Sequence, residues 1–208
     1  MNNFYFPDGV HSFPLDIPRI AVDDVELWRS IYSTHRSVID KTVINHNGFS
    51  GAWIGLDIYR GPNYNISKDI YNANYYDCSS VFPRMFKTIF ENIPMDINCI
   101  RVATSIKPFI PHTDFSVPVV SLRTILYEQN DIPTFFYVDS NGNKVYQHLP
   151  PTTNTWIYND STMLHGSDKL PNKSKVLFMY YGVPNFNKLK EIADRSMSLY
   201  SEFIIPVS

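Results

Sequence analysis

Thr134-Phe-Phe-Tyr-Val-Asp139 and Lys144-Val-Tyr-Gln-His148, joined through Ser140-Asn-Gly-Asn143, form the stretch from which the fold is read. Two short runs rich in aromatic and β-branched residues around an Asn141-Gly142 pair predict a hairpin. The tight turn that matches strand twist needs positive φ at both central residues, and Asn and Gly tolerate this best. Outward from the hairpin, similar apolar or alternating runs recur. Ile97–Lys107, Thr113–Ser116 and Val119–Glu128 precede it, and Thr155–Tyr158, Met163–Ser167 and Lys175–Gly182 follow, each bounded by turn residues. Eight short antiparallel strands predict a double-stranded β-helix, a jelly roll, over Ile97 to Val183.

Helices are expected on both sides of this core. Pro7, Pro14 and Pro18 forbid a helix in the first twenty residues and predict an extended arm laid over the domain. Asp23 or Asp24 can cap a following helix, where Leu27, Ile31, Thr34 and Val38 recur at helical spacing. Phe49 to Tyr59 reads as an accessory strand, and Gly61 to Ser80 is a loop full of Asn and Tyr. Ser79 or Ser80 with Pro83 predicts the start of a second helix that Pro94 stops. Leu189, Ile192, Met197 and Leu199 mark a last helix over Asn187–Phe203, able to cover an outer face or to pair with a second copy of the chain as a homodimer. The fold class is therefore mainly β with flanking helices (α+β), in one domain over 1–208. Residues 1–96 carry the arm, helices and accessory strand, 97–183 the core, and 184–208 the C-terminal helix.

Composition narrows the function classes. A chain of 208 residues with 44% hydrophobic content can bury a substantial core. Its 18 basic and 20 acidic side chains, without a basic cluster, provide no footprint for a nucleic-acid backbone. No apolar run approaches the length of a membrane span, and the N-terminal residues lack a basic region followed by an apolar core. Cys78 and Cys99 follow neither a metal-ligand spacing nor a disulfide framework. The expectation is a soluble cytoplasmic protein with packed, free thiols.

The chemistry is concentrated in Ile110-Pro-His-Thr-Asp-Phe115 and in Thr162-Met-Leu-His-Gly-Ser167. Side chains alternate along an extended segment, so His112 and Asp114 point the same way while Thr113 points away. His165 lies 165 − 112 = 53 residues later, on the predicted seventh strand. Two imidazoles and a carboxylate so arranged make the facial triad that leaves the opposite face of a ferrous ion open. The alternative is a surface pair at His112 and Asp114, with His165 sitting in a turn marked by Gly166.

On these residues the chain resembles the Fe(II)- and 2-oxoglutarate-dependent dioxygenases, with His112, Asp114 and His165 at the family's three metal-ligand positions. The resemblance covers roughly Ile97 to Val183. It implies Fe(II), 2-oxoglutarate as cosubstrate and O2. It further implies a basic anchor about ten positions after the distal histidine, which here is Lys175. The family more often has Arg there, followed two residues later by Ser or Thr, where this chain has Leu177. Arg123 competes for that role: it shares a face with Ser121, Ile125 and Tyr127, and a guanidinium offers a carboxylate two parallel hydrogen bonds. Arg101 is a weaker candidate that can equally meet an outer carboxylate. Asp114 fills the position that halogenating relatives leave for chloride, which favours hydroxylation. Trp53, Tyr64, Tyr71, Tyr75 and Tyr76 are expected to wall the mouth around a small-molecule substrate, such as an amino acid or its derivative. The alternatives are a peptidyl or protein side-chain hydroxylase and a non-catalytic cupin-like binding protein, since a jelly roll alone does not fix function.

Overall fold

The computed structural model describes residues 6–38, 53–65, 73–105, 108–113, 120–126, 135–160, 163–168 and 176–207. In chain order these form β1 (Val10–Pro14), α1 (Val25–His35), β2 (Ser37–Val38), β3 (Trp53–Arg60), β4 (Asn74–Tyr75) and α2 (Pro83–Asn92). Next come β5 (Met95–Ser105), β6 (Phe109–His112), β7 (Val120–Ile125), β8 (Phe135–Val138), β9 (Lys144–Tyr146) and β10 (Thr155–Asn159). The chain ends with β11 (His165–Ser167), β12 (Leu177–Pro184), α3 (Phe186–Leu199), a 3-10 turn at Ser201–Phe203, and β13 (Ile205–Pro206).

Among the described residues the strands make two sheets, so the protein is mainly β with three helices. The larger runs β13-β1-β10-β7-β12-β5-β3-β2, with β4 added to β3 in parallel, and the smaller runs β6-β11-β8-β9. Ring contacts join the two face to face: Phe135 lies 5.7 Å from Trp156, and Tyr137 lies 6.3 Å from Tyr158. Alternation then gives each strand of the large sheet one side toward the small sheet and one toward the helices.

The helix side is the main core. Trp28, Ile31 and Tyr32 of α1, Met85, Phe86 and Ile89 of α2, and Leu189, Ile192 and Ala193 of α3 pack on Leu56, Val102, Leu122, Ile157 and Phe178. Trp28 meets Phe178 and Phe82 edge-on at 5.7 and 5.6 Å, an arrangement favoured by the ring quadrupole. Helix α3 thus covers an outer face of the large sheet. Asp24 caps α1 by accepting from Leu27 N at 3.0 Å. Helix α2 differs from expectation: Phe82 precedes Pro83 at its start without a side-chain cap, and Ser79 instead donates its N–H to Asp77.

Three further differences matter for the site. The N-terminal arm joins the large sheet as β1, between β13 and β10, because its backbone finds a free edge at Thr155–Asn159. A strand at Phe109–His112 ends on His112, while residues 114–116 of the expected Thr113–Ser116 run lie outside the described residues. Gly166 lies within β11 at a close approach: a Cβ there would sit 2.6 Å from the Phe109 carbonyl and 2.7 Å from the Phe136 ring. The hairpin of β8 and β9 turns at Gly142, with φ of 83°, while Asp139 accepts from Asn141 N and Asn143 N. Cys78 and Cys99 are free and buried, and burial pushes both thiols up, so they pack rather than react. No described helix is long and apolar enough to cross a membrane.

Candidate functional site

The two histidines singled out by spacing are direct cross-strand partners. His165 of β11 stands opposite His112 of β6, and their ring centroids are 4.6 Å apart. His165 also stands opposite Tyr137 of β8, whose ring packs toward β10, so the histidines face the large sheet. Each ring is oriented the same way. His112 Nδ1 lies 2.8 Å from the Ile110 carbonyl and His165 Nδ1 lies 3.2 Å from the Met163 carbonyl, each two residues back. A carbonyl only accepts, so Nδ1 carries the proton and the lone pair sits on Nε2, the state in which imidazole binds a metal.

Aromatic rings fix His165 from two sides. Phe135 stacks at 5.7 Å and Tyr158 meets it edge-on at 5.2 Å, and His165 is only 2% exposed. Next along the large sheet, Arg123 directly opposes Trp156 and holds its guanidinium 5.6 Å over the Tyr158 ring. A basic side chain, an aromatic ring and the distal histidine therefore follow one another across the inner face.

The other arginine is engaged in a different way. Arg101 donates from Nε to Asp57 at 2.6 Å and from Nη2 at 3.3 Å. Arg60 adds bonds to Asp57 and to the Ala73 carbonyl, and the Tyr64 hydroxyl reaches Asp57 at 3.2 Å. Arg60 sits against the rings of Tyr64 and Tyr75, and Tyr76 stacks on His35. These tyrosines are thus tied to the β3 edge and α1. The side chain of Trp53, and Asp114, Tyr71 and Lys175, lie outside the described residues.

One buried residue of the inner face was absent from the sequence reading. Val10 and Ser12 pair with Pro206 and Ile205, and His11 is the extra residue between them. A β-bulge of this kind puts successive side chains on one side. His11 and Ser12 accordingly both turn inward: Ser12 hydrogen-bonds Gln147, and the His11 ring meets Tyr137 edge-on at 4.3 Å. His11 is fully buried, and burial with the nearby His165 lowers its pKa to about 3, so it is neutral at ordinary pH. Both its ring nitrogens, the Tyr137 hydroxyl and the Trp156 indole nitrogen lack hydrogen-bond partners among the described residues. Tyr137 Oη lies near Ser12 and Trp156, but neither contact has hydrogen-bond geometry. A buried polar atom left unpaired costs about 1–3 kcal/mol, so four together approach the roughly 5–15 kcal/mol that hold a whole domain. Among the described residues the helix-side core carries one such atom, Trp28 Nε1.

As donors for ferrous iron the residues fit. His112 and His165 present two lone-pair imidazoles on one face, and Asp114 follows His112 by two positions. Among the described residues, no three His, Cys, Asp or Glu side chains converge closely enough to hold a metal ion. No protein-family model matches the chain, and no curated protein matches it. Among solved structures it is similar to a Pseudomonas putida prolyl-4-hydroxylase, at 10% identity and a TM-score of 0.40, over 76% of this chain and 82% of that one.

Proposed function

We propose that the protein is an Fe(II)- and 2-oxoglutarate-dependent oxygenase that hydroxylates a small molecule on a double-stranded β-helix core. The observation that carries this reading is the direct pairing of His112 with His165, each with its Nδ1 proton held on a carbonyl two residues back. The jelly-roll assignment is supported by the distribution of core strands. β5, β7, β10 and β12 fall in one sheet and β6, β8, β9 and β11 in the other.

His112, Asp114 and His165 would hold iron, and bound iron with 2-oxoglutarate and O2 supplies the oxidising power for an unactivated C–H bond. The chain itself supplies orientation and dryness. The carbonyls of Ile110 and Met163 hold the two imidazoles in one tautomer, and Phe135 and Tyr158 keep His165 from water. Arg123 would anchor the distal carboxylate of 2-oxoglutarate, a reading supported by its position over Tyr158, which itself touches His165. Arg101 is committed to Asp57, which argues against it as the anchor. Lys175 remains the alternative by its spacing from His165.

The test is succinate release from 2-oxoglutarate by protein supplied with ferrous iron and air, over a panel of amino acids, small metabolites and peptides. Stimulation by a small metabolite is the expected outcome, with His112→Ala, Asp114→Ala and His165→Ala each losing iron and turnover together. Full turnover in Asp114→Ala would refute the triad, and stimulation by peptides alone would move the substrate to a polypeptide side chain. Tight binding of small molecules without any succinate would make the protein a cupin-like receptor instead.

A further inference from the structure

The bulge in β1 has a consequence for what the space between the sheets receives. A regular strand through Val10–Pro14 would have turned His11 toward the helices, where Val10 and Phe13 lie. The extra residue turns it inward instead, into a group of buried atoms drawn from separate strands: His11 of β1, Tyr137 of β8 and Trp156 of β10. Bulges are a recurrent means of re-aiming a side chain toward a site. The group is rich in donors. Trp156 Nε1 can only donate, the Tyr137 hydroxyl and neutral His11 each bring one more proton, and Arg123, the cross-strand partner of Trp156, holds its guanidinium over the neighbouring Tyr158 ring. Such an excess of donors is complementary to the oxygens of an organic acid, and a polar network left unfilled in a dry interior is costly to keep.

We propose that His11 is a binding residue of the inner face, donating from its imidazole to an oxygen of the bound organic acid together with Tyr137 and Trp156. This rests on the reading of that face as the 2-oxoglutarate pocket, and adds to it a neutral histidine that the β1 bulge delivers. A stability penalty in the empty protein and a gain on binding are two sides of one arrangement, because the same unpaired atoms produce both.

Two measurements on the full chain test this. The first is the melting temperature of protein free of metal and 2-oxoglutarate. The second is calorimetric affinity for 2-oxoglutarate with Mn(II) in place of iron, which requires no turnover. His11→Phe, of similar shape but without ring nitrogens, should raise the melting temperature by about 2–4 °C and weaken 2-oxoglutarate by about tenfold. His11→Gln, which keeps a donor, should recover part of the affinity, and Tyr137→Phe, should His11→Phe fail to fold, should show the same loss. Affinity within twofold of the parent in all three variants would overturn the inference and leave the oxygenase reading standing. Failure of the parent protein to bind 2-oxoglutarate at all would overturn both. Binding weakened by the variants in a protein that never forms succinate would support the inference and sink the oxygenase.

Discussion

Two rows of residues cross the large sheet one position apart, and they differ sharply in polarity. Thr155, Thr124, Phe178, Val102 and Leu56 are successive cross-strand partners on the helix side, all fully buried. Trp156, Arg123, Met179, Arg101 and Asp57 are successive partners on the side of the small sheet. The first row is apolar except for two threonines, whose hydroxyls bond one another and Tyr180. The second row holds two arginines, an aspartate and an indole whose nitrogen has no partner among the described residues. The same five strands thus build an apolar core with one set of positions and a polar face with the next. A change confined to one row should leave the other nearly intact.

Phe178→Ala is the severest break in this comparison. Phe178 is buried against Trp28, and truncating a core phenylalanine costs about 3–5 kcal/mol because the surroundings collapse only in part. Denaturant unfolding should show that loss, while protein that remains folded keeps its affinity for metal. Loss of metal affinity in the folded fraction would mean that the two rows are not separable.

On the inner row, Asp57→Asn should cost about 3 kcal/mol, the low end for breaking a buried ion pair, because Asn keeps the shape and one acceptor oxygen. Arg101 and Arg60 would lose the charge they share. The cluster is built on β3 and β5 of the large sheet and both histidines on the small sheet, so unfolding should move and metal affinity should not. A loss below about 1 kcal/mol would show that the two guanidiniums find other acceptors.

How much of this was legible in the sequence follows from the range of each signal. Alternation and turn residues are local, and they mark the eight strands β5 to β12 to within a few residues. The exception is β6, where Pro111 reads as a break although a strand tolerates a residue without an N–H at its edge. The pairing of the N-terminal arm was not legible, because β1 joins Thr155–Asn159 by backbone bonds that leave no pattern in either stretch. His112 and His165 were legible because their chemistry is written as a spacing. His11 was not, because a bulge is set by where β13 and β10 pair with β1, and a histidine in a Pro-rich arm looks solvated. Its apolar neighbours Val10 and Phe13 were the available hint of burial. Asp57 and Arg101 lie 44 positions apart, and their bond follows from strand register alone.

The smallest effect, taken per unit of pH, is also the one that isolates the inner face in the intact protein. His11 has a folded pKa of about 3 against 6.5 for the free side chain, so between those values the unfolded chain binds a proton that the folded protein refuses. Stability must then rise with pH across that window and fall on acidification below about 6.5, with a limiting slope of about 1.4 kcal/mol per pH unit for one proton. The largest cause is desolvation by burial and the second is electrostatic interaction with the nearby His165, so the penalty falls on the His11 imidazolium. In His11→Phe the proton has nowhere to go in either state, and the slope between pH 6 and 5 should drop by most of that amount. An acid slope identical in His11→Phe and the parent would mean that His11 keeps its proton in the folded protein, which its burial beside Tyr137 argues against.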